Sequence, residues 1–197
     1  MRSVVTTAPT IEPLDLEDAK TMLRVQFTTH DSLISGLIKS ARSFFENETG
    51  WALMNRTLTT YLRFYPKNSV ITLPYPPLSS VTSIYTNVAG TPTEFTSAGN
   101  WYADTTSRPG GISLLPGKAW PTGVLHDPAV TIIHVAGFGT KTSSLPEDAI
   151  HAIRALVESW YNYPGGIYYP DDKRAGEPSV VPLTVSDTIA RYKEAIK

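Results

Sequence analysis

Four histidines are the side chains best suited to metal binding or proton transfer here, since the sequence contains no cysteine. His30, His126, His134 and His151 share no metal-ligand spacing such as i and i+4, and no carboxylate accompanies them in a recognisable motif. His134 falls in a predicted strand, where alternation turns it away from Ile133. His151 lies beside the apolar stripe of a predicted helix. We therefore predict structural or surface roles for the histidines, and no metal site.

Two other patterns resemble catalytic or phosphate-binding motifs without meeting their requirements. No Gly-x-Ser-x-Gly nucleophile elbow occurs. Residues 137–142 (GFGTKT) lack the Gly-Lys-Ser/Thr ending of a phosphate loop, and Thr142 stands where a further glycine is required. Asp171 and Asp172 form an acidic pair that we expect to be solvated. The sequence thus predicts no catalytic residue, no cofactor and no enzyme activity.

Aromatic side chains cluster between residues 160 and 169, beginning with Trp160. Such clusters can stack on sugars or bases, but nucleic-acid platforms also need interleaved basic residues, and only Lys173 and Arg174 lie close. Tyrosine is equally enriched in contacts between proteins. We therefore predict a protein interface formed by four tyrosines: Tyr161, Tyr163, Tyr168 and Tyr169.

The charge balance argues against a protein that grips nucleic acid. Lys and Arg total 17 and Asp and Glu total 18, a formal net charge of −1. A basic face that neutralises phosphates normally gives a positive excess. The N-terminus lacks the apolar core of a signal peptide, and no apolar run approaches the roughly 20 residues that span a bilayer. We expect no membrane contact and synthesis in a cytoplasm.

Helical spacing of apolar residues occurs in four places along the chain. A short helix is predicted from Asp15 to about Val25, and a longer one from Asp31 to the stop at Gly50. A third begins after Pro146. The fourth has only about a dozen residues, too few to be stable alone in water, and we expect it to need a docking partner. Its apolar face carries Val185, Ile189, Tyr192 and Ile196.

Between the second and third helices the sequence changes to short β-rich runs separated by Pro and Gly turns. An α+β fold is therefore predicted: a small helical bundle with an antiparallel sheet or sandwich inserted between the second and third helices, and a C-terminal docking helix. The predicted strands are 57–65, 70–73, 81–86, 111–115 and 129–135. The predicted domains are a helical core (1–50 and 144–182), a β-rich insertion (51–143) and the docking helix (183–197).

The order of these segments resembles the phage head-to-tail connector (adaptor) family. Residues 13–25 (PLDLEDAKTMLRV) are similar to its opening helix, with the pattern Glu-x-Ala-Lys-x-x-Leu-Arg, and residues 31–50 are similar to its second helix. Residues 73–81 (LPYPPLSSV) resemble a segment of the subgroup with a β-rich insertion, which also occurs in gene-transfer particles. The segments 118–121, 135–139 and 145–150 follow in that subgroup's order.

This resemblance implies a structural role in the neck of a virion or phage-like particle, assembled in a bacterial cytoplasm. Adaptor subunits form a ring, dodecameric by expectation, on the portal protein. The ring extends the channel through which double-stranded DNA passes without specific binding, and it presents a surface to a tail-side stopper or completion protein. The family's C-terminal segment reaches the portal, which makes five residues the portal-contact candidates here: Val185, Ile189, Arg191, Tyr192 and Ile196.

Two other function classes compete with the adaptor hypothesis. A carbohydrate- or peptide-binding module on the β-rich insertion could use Trp101, Tyr102 and Trp120 as an aromatic platform. Exposed, coplanar rings would favour this module, whereas buried rings would dismiss it. A hydrolase using His and Asp side chains has the least support in the sequence.

Overall fold

A computed structural model describes residues 1–121, 125–164 and 181–196 of the chain, which divide into two compact units. The β unit comprises Met1–Pro9 and Gly50–Gly139, together with Ile196. The helical unit comprises residues 10–49 and the described residues between 140 and 195. Helices and antiparallel sheets occur in separate units, which confirms the predicted α+β class.

The strands of the β unit form two antiparallel sheets. The larger sheet has the order β1-β2-β8-β4-β5, and the smaller one has the order β3-β7-β6. The strands are β1 (Arg2–Thr7), β2 (Arg56–Leu62), β3 (Val70–Thr72), β4 (Leu78–Val88), β5 (Thr91–Glu94), β6 (Trp101–Asp104), β7 (Gly111–Leu114) and β8 (Leu125–Ala136).

Strand β8 is the centre of the larger sheet and pairs with β2 on one side and β4 on the other. Its alternate residues Val130, Ile132, His134 and Ala136 are buried, as the period of a strand with one covered face requires. The core of the unit is a cluster of apolar side chains from both sheets and from the segment between β7 and β8, which includes Leu62, Ile71, Ile84, Trp101, Ile112, Trp120, Val130 and Ile132.

The N-terminal residues do not lie in the helical core, as the predicted 1–50 boundary required. They form β1, which pairs with β2 from Arg2↔Tyr61 to Val5↔Leu58. The β-branched run in residues 4–7 suits an edge strand and explains the placement. Strands β5 and β6 were also not predicted, because β5 is exposed throughout and β6 buries only one residue, so that neither has a clear alternation of buried and exposed positions.

The helical unit contains α1 (Leu16–Leu23), α2 (Asp31–Thr49), α3 (Glu147–Asn162) and α4 (Leu183–Glu194). Helices α2 and α3 pack together through apolar residues at three- and four-residue steps. Arg42 of α2 forms ion pairs with Glu12 at 2.7 Å and with Glu46 at 2.9 Å. The residues buried from α2 and α3 include Ile34, Ile38, Ala41, Phe45, Ile150, Ile153, Leu156 and Val157.

Gly137 follows β8 at a position that only glycine fits. Its φ is +136°, and a Cβ there would lie 2.6 Å from the backbone N of Asn55 and 2.6 Å from the carbonyl carbon of Met54. Both of those atoms belong to the backbone and cannot rotate away. We therefore expect Gly137→Ala to lower the free energy of unfolding by about 3 kcal/mol or more.

Gly99→Ala is the matched control, because Gly99 also has a positive φ (+73°) but nothing lies within 4 Å of its Cβ position. Gly99→Ala should lower the free energy of unfolding by only about 1 kcal/mol, which is the strain of a positive φ at alanine. Denaturant unfolding of the two variants gives the comparison. Equal losses would show that the contact with residues 54 and 55 is not the cause.

Candidate interaction surfaces

The apolar face of α4 is buried within the helical unit, against α2 and α3. Val185, Ile189 and Tyr192 are all buried. The Tyr192 ring meets Phe45 edge-on at 5.3 Å, and its hydroxyl donates to Asp148 Oδ1 at 2.9 Å. The expectation that this helix needs another protein as its docking partner is therefore wrong. Helices α2 and α3 supply the groove.

This burial divides the five portal-contact candidates into two groups. Arg191 is exposed and donates a hydrogen bond to Thr188 Oγ1 at 3.3 Å, while Ile196 is half-buried. The other three candidates are the buried residues of α4, so contact with a portal would require the helix to leave its groove. Lys193 reinforces the packing through an ion pair with Glu48 at 2.8 Å.

An exposed aromatic patch lies at the C-terminal end of α3. Tyr161 accepts or donates a hydrogen bond at 2.7 Å to Nδ1 of His30, and Phe27 meets the His30 ring edge-on at 4.8 Å. Tyr163 follows two residues later and is 56% exposed. We call Phe27, His30, Tyr161 and Tyr163 the aromatic patch. Tyr168 and Tyr169, the other two predicted interface residues, lie outside the described residues.

The patch combines apolar rings with polar atoms, as protein interfaces commonly do. The hydrogen bond between His30 and Tyr161 holds two of its rings in fixed positions, so that less side-chain entropy is lost on binding. Phe27 and His30 were not predicted as interface residues, because they are far from Tyr161 in the sequence. Trp160 faces elsewhere and packs edge-on against Phe44 at 5.8 Å.

The proposed carbohydrate platform on the β unit is absent. Trp101 and Trp120 are buried, and Trp120 stacks on Tyr65 with a centroid distance of 6.1 Å. The indole N–H of Trp101 donates to the carbonyl of Phe95 at 2.7 Å, which ties that ring into the unit. Only Tyr102 of the three is exposed. Buried rings cannot stack on a ligand, so the alternative hypothesis loses its binding surface.

The histidines form no metal site in the described ranges, where no group of three His, Asp or Glu side chains could hold an ion. His134 is fully buried in β8, and this burial lowers its pKa to about 4. The imidazole is therefore neutral at physiological pH. Among the described helices, none is long and apolar enough to cross a membrane.

The depressed pKa of His134 predicts a pH-dependent stability. Its usual value is 6.5, so between pH 6.5 and about 4 the unfolded chain binds a proton that the folded chain does not. The free energy of unfolding keeps its full value above this window and falls as the pH is lowered through it, by up to about 1.4 kcal/mol per pH unit. His134→Leu should flatten this dependence in denaturant unfolding, and the exposed control His151→Gln should not. Identical slopes in the wild type and His134→Leu would refute the assignment.

The packing of α4 predicts that its inward residues stabilise the fold. Ile189 is 7% exposed and Leu183, on the same helix, is 45% exposed. Ile189→Ala should lower the free energy of unfolding by about 2–4 kcal/mol because it leaves a cavity. Leu183→Ala should change it by less than about 0.5 kcal/mol. If both variants unfold like the wild type, α4 does not contribute to the stability of the unit.

Comparison with known proteins identifies the first part of the chain. Residues 13–85 match the sequence profile described as "Phage gp6-like head-tail connector protein". This range includes α1 and α2 and the first strands that follow them. No curated protein sequence matches the chain.

Solved structures with a similar fold come from particles of a gene transfer agent (GTA). A chain in the neck of an empty GTA particle, computed with C6 symmetry, aligns with a TM-score of 0.74 and 22% identity, covering 98% of this chain and 95% of that one. A chain in the virion of the native GTA particle gives the same values. A chain in the neck of the native particle, computed with C12 symmetry, aligns over the same shares with a TM-score of 0.68 and 24% identity.

The structural likeness extends the comparison to nearly the whole chain, although identities below 25% speak for the fold alone. The resemblance to the connector family rests on the sequence match of residues 13–85. Residues 13–85 are thus similar in sequence to the phage gp6-like head-tail connector family, and nearly the whole chain is similar in fold to chains of the GTA particles.

Proposed function

We propose that this chain is a structural adaptor subunit in the neck of a phage-like or gene-transfer particle. It forms a ring on the portal protein, extends the DNA channel and joins the capsid to the tail. The observation that carries the proposal is the alignment of 98% of the chain with a chain of the GTA neck. A connector works by its contacts with other proteins, and the role requires no catalysis.

Ring formation is supported by the symmetry of the similar structures. The necks that contain the similar chains were computed with C6 and C12 symmetry. A dodecamer is compatible with both symmetries. A closed ring needs a heterologous interface, in which two different surfaces of each copy meet. An adaptor must therefore present at least two exposed surfaces to its neighbours, besides those for the portal and the tail.

The aromatic patch is the surface that we assign to a neighbouring copy. Phe27 is half exposed and Tyr163 is more than half exposed, although both are large and apolar. Exposed aromatic residues supply most of the binding free energy in many protein interfaces. Tyr168 and Tyr169 follow closely in the sequence and are proposed as further members of this interface.

The portal contact is assigned to the outward face of α4. The buried residues Val185, Ile189 and Tyr192 hold this helix on its own unit, which leaves Arg191 free to meet another protein. This assignment keeps the portal as the partner of the C-terminal segment, but it changes the contacting side of the helix. The tail-side stopper or completion protein would bind a different surface of the ring.

The net charge of −1 suits a channel wall along which DNA must slide. A large excess of positive charge would hold the DNA phosphates, and the chain as a whole has no such excess. DNA is therefore a passing partner in this proposal, without a specific binding site.

Mixing the purified protein with its portal tests both the ring and the aromatic patch. Sedimentation velocity and negative-stain microscopy should show a ring of adaptor copies on the portal. Tyr163→Ala should lower the occupancy of the ring by about tenfold or more, the loss expected for an interface aromatic residue. Tyr102→Ala is the matched control, because Tyr102 is an exposed tyrosine of the β unit (51% exposed) outside the patch.

No complex with the portal would contradict the adaptor function. A complex that forms equally well with Tyr163→Ala would contradict the assignment of the patch and leave the function standing. Far-UV circular dichroism of each variant checks that the helical unit remains folded.

A further inference from the structure

The two units of the chain carry opposite net charges. The β unit has six Lys and Arg against three Asp and Glu, a net charge of +3. The rest of the chain, which contains the helical unit, has eleven against fifteen, a net charge of −4. Their sum is the overall value of −1, which hides this asymmetry. The positive β unit of one copy can therefore attract the negative helical unit of a second copy.

Arg108 is the cation of the β unit whose position is fixed most clearly for such a contact. Its guanidinium carbon lies 5.6 Å from the ring centroid of Trp51 and 5.7 Å from that of Phe138. These two rings are stacked on each other, 5.7 Å apart with an interplanar angle of 6°. The aromatic pair holds the side chain by cation–π attraction, while Arg108 remains exposed to solvent.

Asp104, the carboxylate closest to Arg108 in the sequence, is committed to its own loop. It accepts hydrogen bonds from the hydroxyl and backbone N–H of Ser107 at 2.5 and 3.1 Å, and from those of Thr106 at 2.7 and 2.9 Å. The hydroxyls of Ser107 and Thr106, with their amides, hold the pKa of Asp104 well below its usual range. Arg108 forms no ion pair with any residue that the structure describes.

Arg63 differs from Arg108 because it has an ion pair, and Arg2 differs because one ring supports it and not two. Arg63 forms an ion pair with Asp127 at 3.3 Å. Arg2 of β1 lies over the ring of Tyr61, its pairing partner on β2. On the helical unit, several exposed carboxylates form no ion pair within the described ranges. They include Asp18, Glu147, Glu158, Asp187 and Glu194.

We infer that Arg108 anchors a contact between neighbouring copies, in which its guanidinium binds a carboxylate on the helical unit of the next copy. A guanidinium fixed over aromatic rings keeps its N–H edge free for a bidentate bond to a carboxylate, and little entropy is lost on binding. The two charged units are different surfaces, so this contact is heterologous, which is the type of contact that a ring requires. The inference rests on the proposed function and names a second interface beside the aromatic patch.

A second copy fits the observations better than DNA does. The complementary negative charge lies on the chain itself, and the chain as a whole has no positive excess for phosphates. Binding of DNA by Arg108 is therefore the competing outcome in the tests.

Charge reversal measures the contribution of Arg108 to the ring. In low salt, Arg108→Glu should lower ring occupancy on the portal roughly fivefold to tenfold, and added salt should shrink the difference. Lys67→Glu is the matched control, because it makes the same charge change in the β unit at an exposed residue without the aromatic support. Equal losses in both variants would show that only net charge matters and would overturn the anchoring role.

Crosslinking identifies the partner residue. In Arg108→Lys, a zero-length carbodiimide can join the introduced amine to a carboxylate in direct contact. Rings assembled from equal amounts of 14N and 15N copies then show by mass spectrometry whether each linked pair lies within one copy or between two. The expected product links position 108 to an Asp or Glu of the helical unit on another copy.

Rings that yield links from position 108 only within a copy, or none, would overturn the inference while the adaptor function stands. Failure of the wild-type protein to form rings would contradict the adaptor function itself. Loss of duplex DNA retention by Arg108→Glu in rings of unchanged occupancy would assign the guanidinium to phosphates and also overturn the inference.

Discussion

The burial of one face of α4 between α2 and α3 is the contact on which the helical unit depends. The edge-on packing of Tyr192 and Phe45 and the hydrogen bond from Tyr192 to Asp148 join three helices at one point. A helix of this length has little stability of its own in water, so its order comes from this packing. The groove is filled from within the chain, and it is not left open for a partner.

This constraint decides which surfaces remain for assembly. In the proposed adaptor role the chain must bind its neighbours without giving up its own fold, and the exposed surfaces of the two units meet that requirement. The aromatic patch on the helical unit offers apolar area, while Arg108 on the β unit offers a fixed charge. The outward face of α4 adds a third surface, whose position is secured by the buried face of the same helix.

Much of the fold could be predicted from the sequence, because apolar spacing specifies long helices directly. Helices α2 and α3 begin and end close to the residues that the start and stop signals and the spacing of apolar residues predicted. Strands β1, β5 and β6 could not be predicted in the same way, since short edge strands have weak alternation and are fixed by pairing with distant residues. The amphipathic pattern of α4 was also clear, but the pattern does not encode which groove receives the helix.

The candidate surfaces show the same limit. Tyr161 and Tyr163 could be chosen by residue type, yet Phe27 and His30 join them only through folding. Arg108 lies far in the sequence from both Trp51 and Phe138, so no local pattern could show that its guanidinium is supported by two stacked rings. Contacts of this kind join residues that are distant in the sequence, so they cannot be predicted from local sequence patterns.

Hydrogen exchange of the α4 amides, compared between the isolated protein and the ring on its portal, tests the central claim most directly. If α4 is an integral part of the helical unit, its core amides exchange slowly in the isolated chain and are equally protected in the assembly. New protection then occurs at the aromatic patch and in the loop that carries Arg108. Rapid exchange of α4 in the isolated chain, with protection gained only on the portal, would contradict the account.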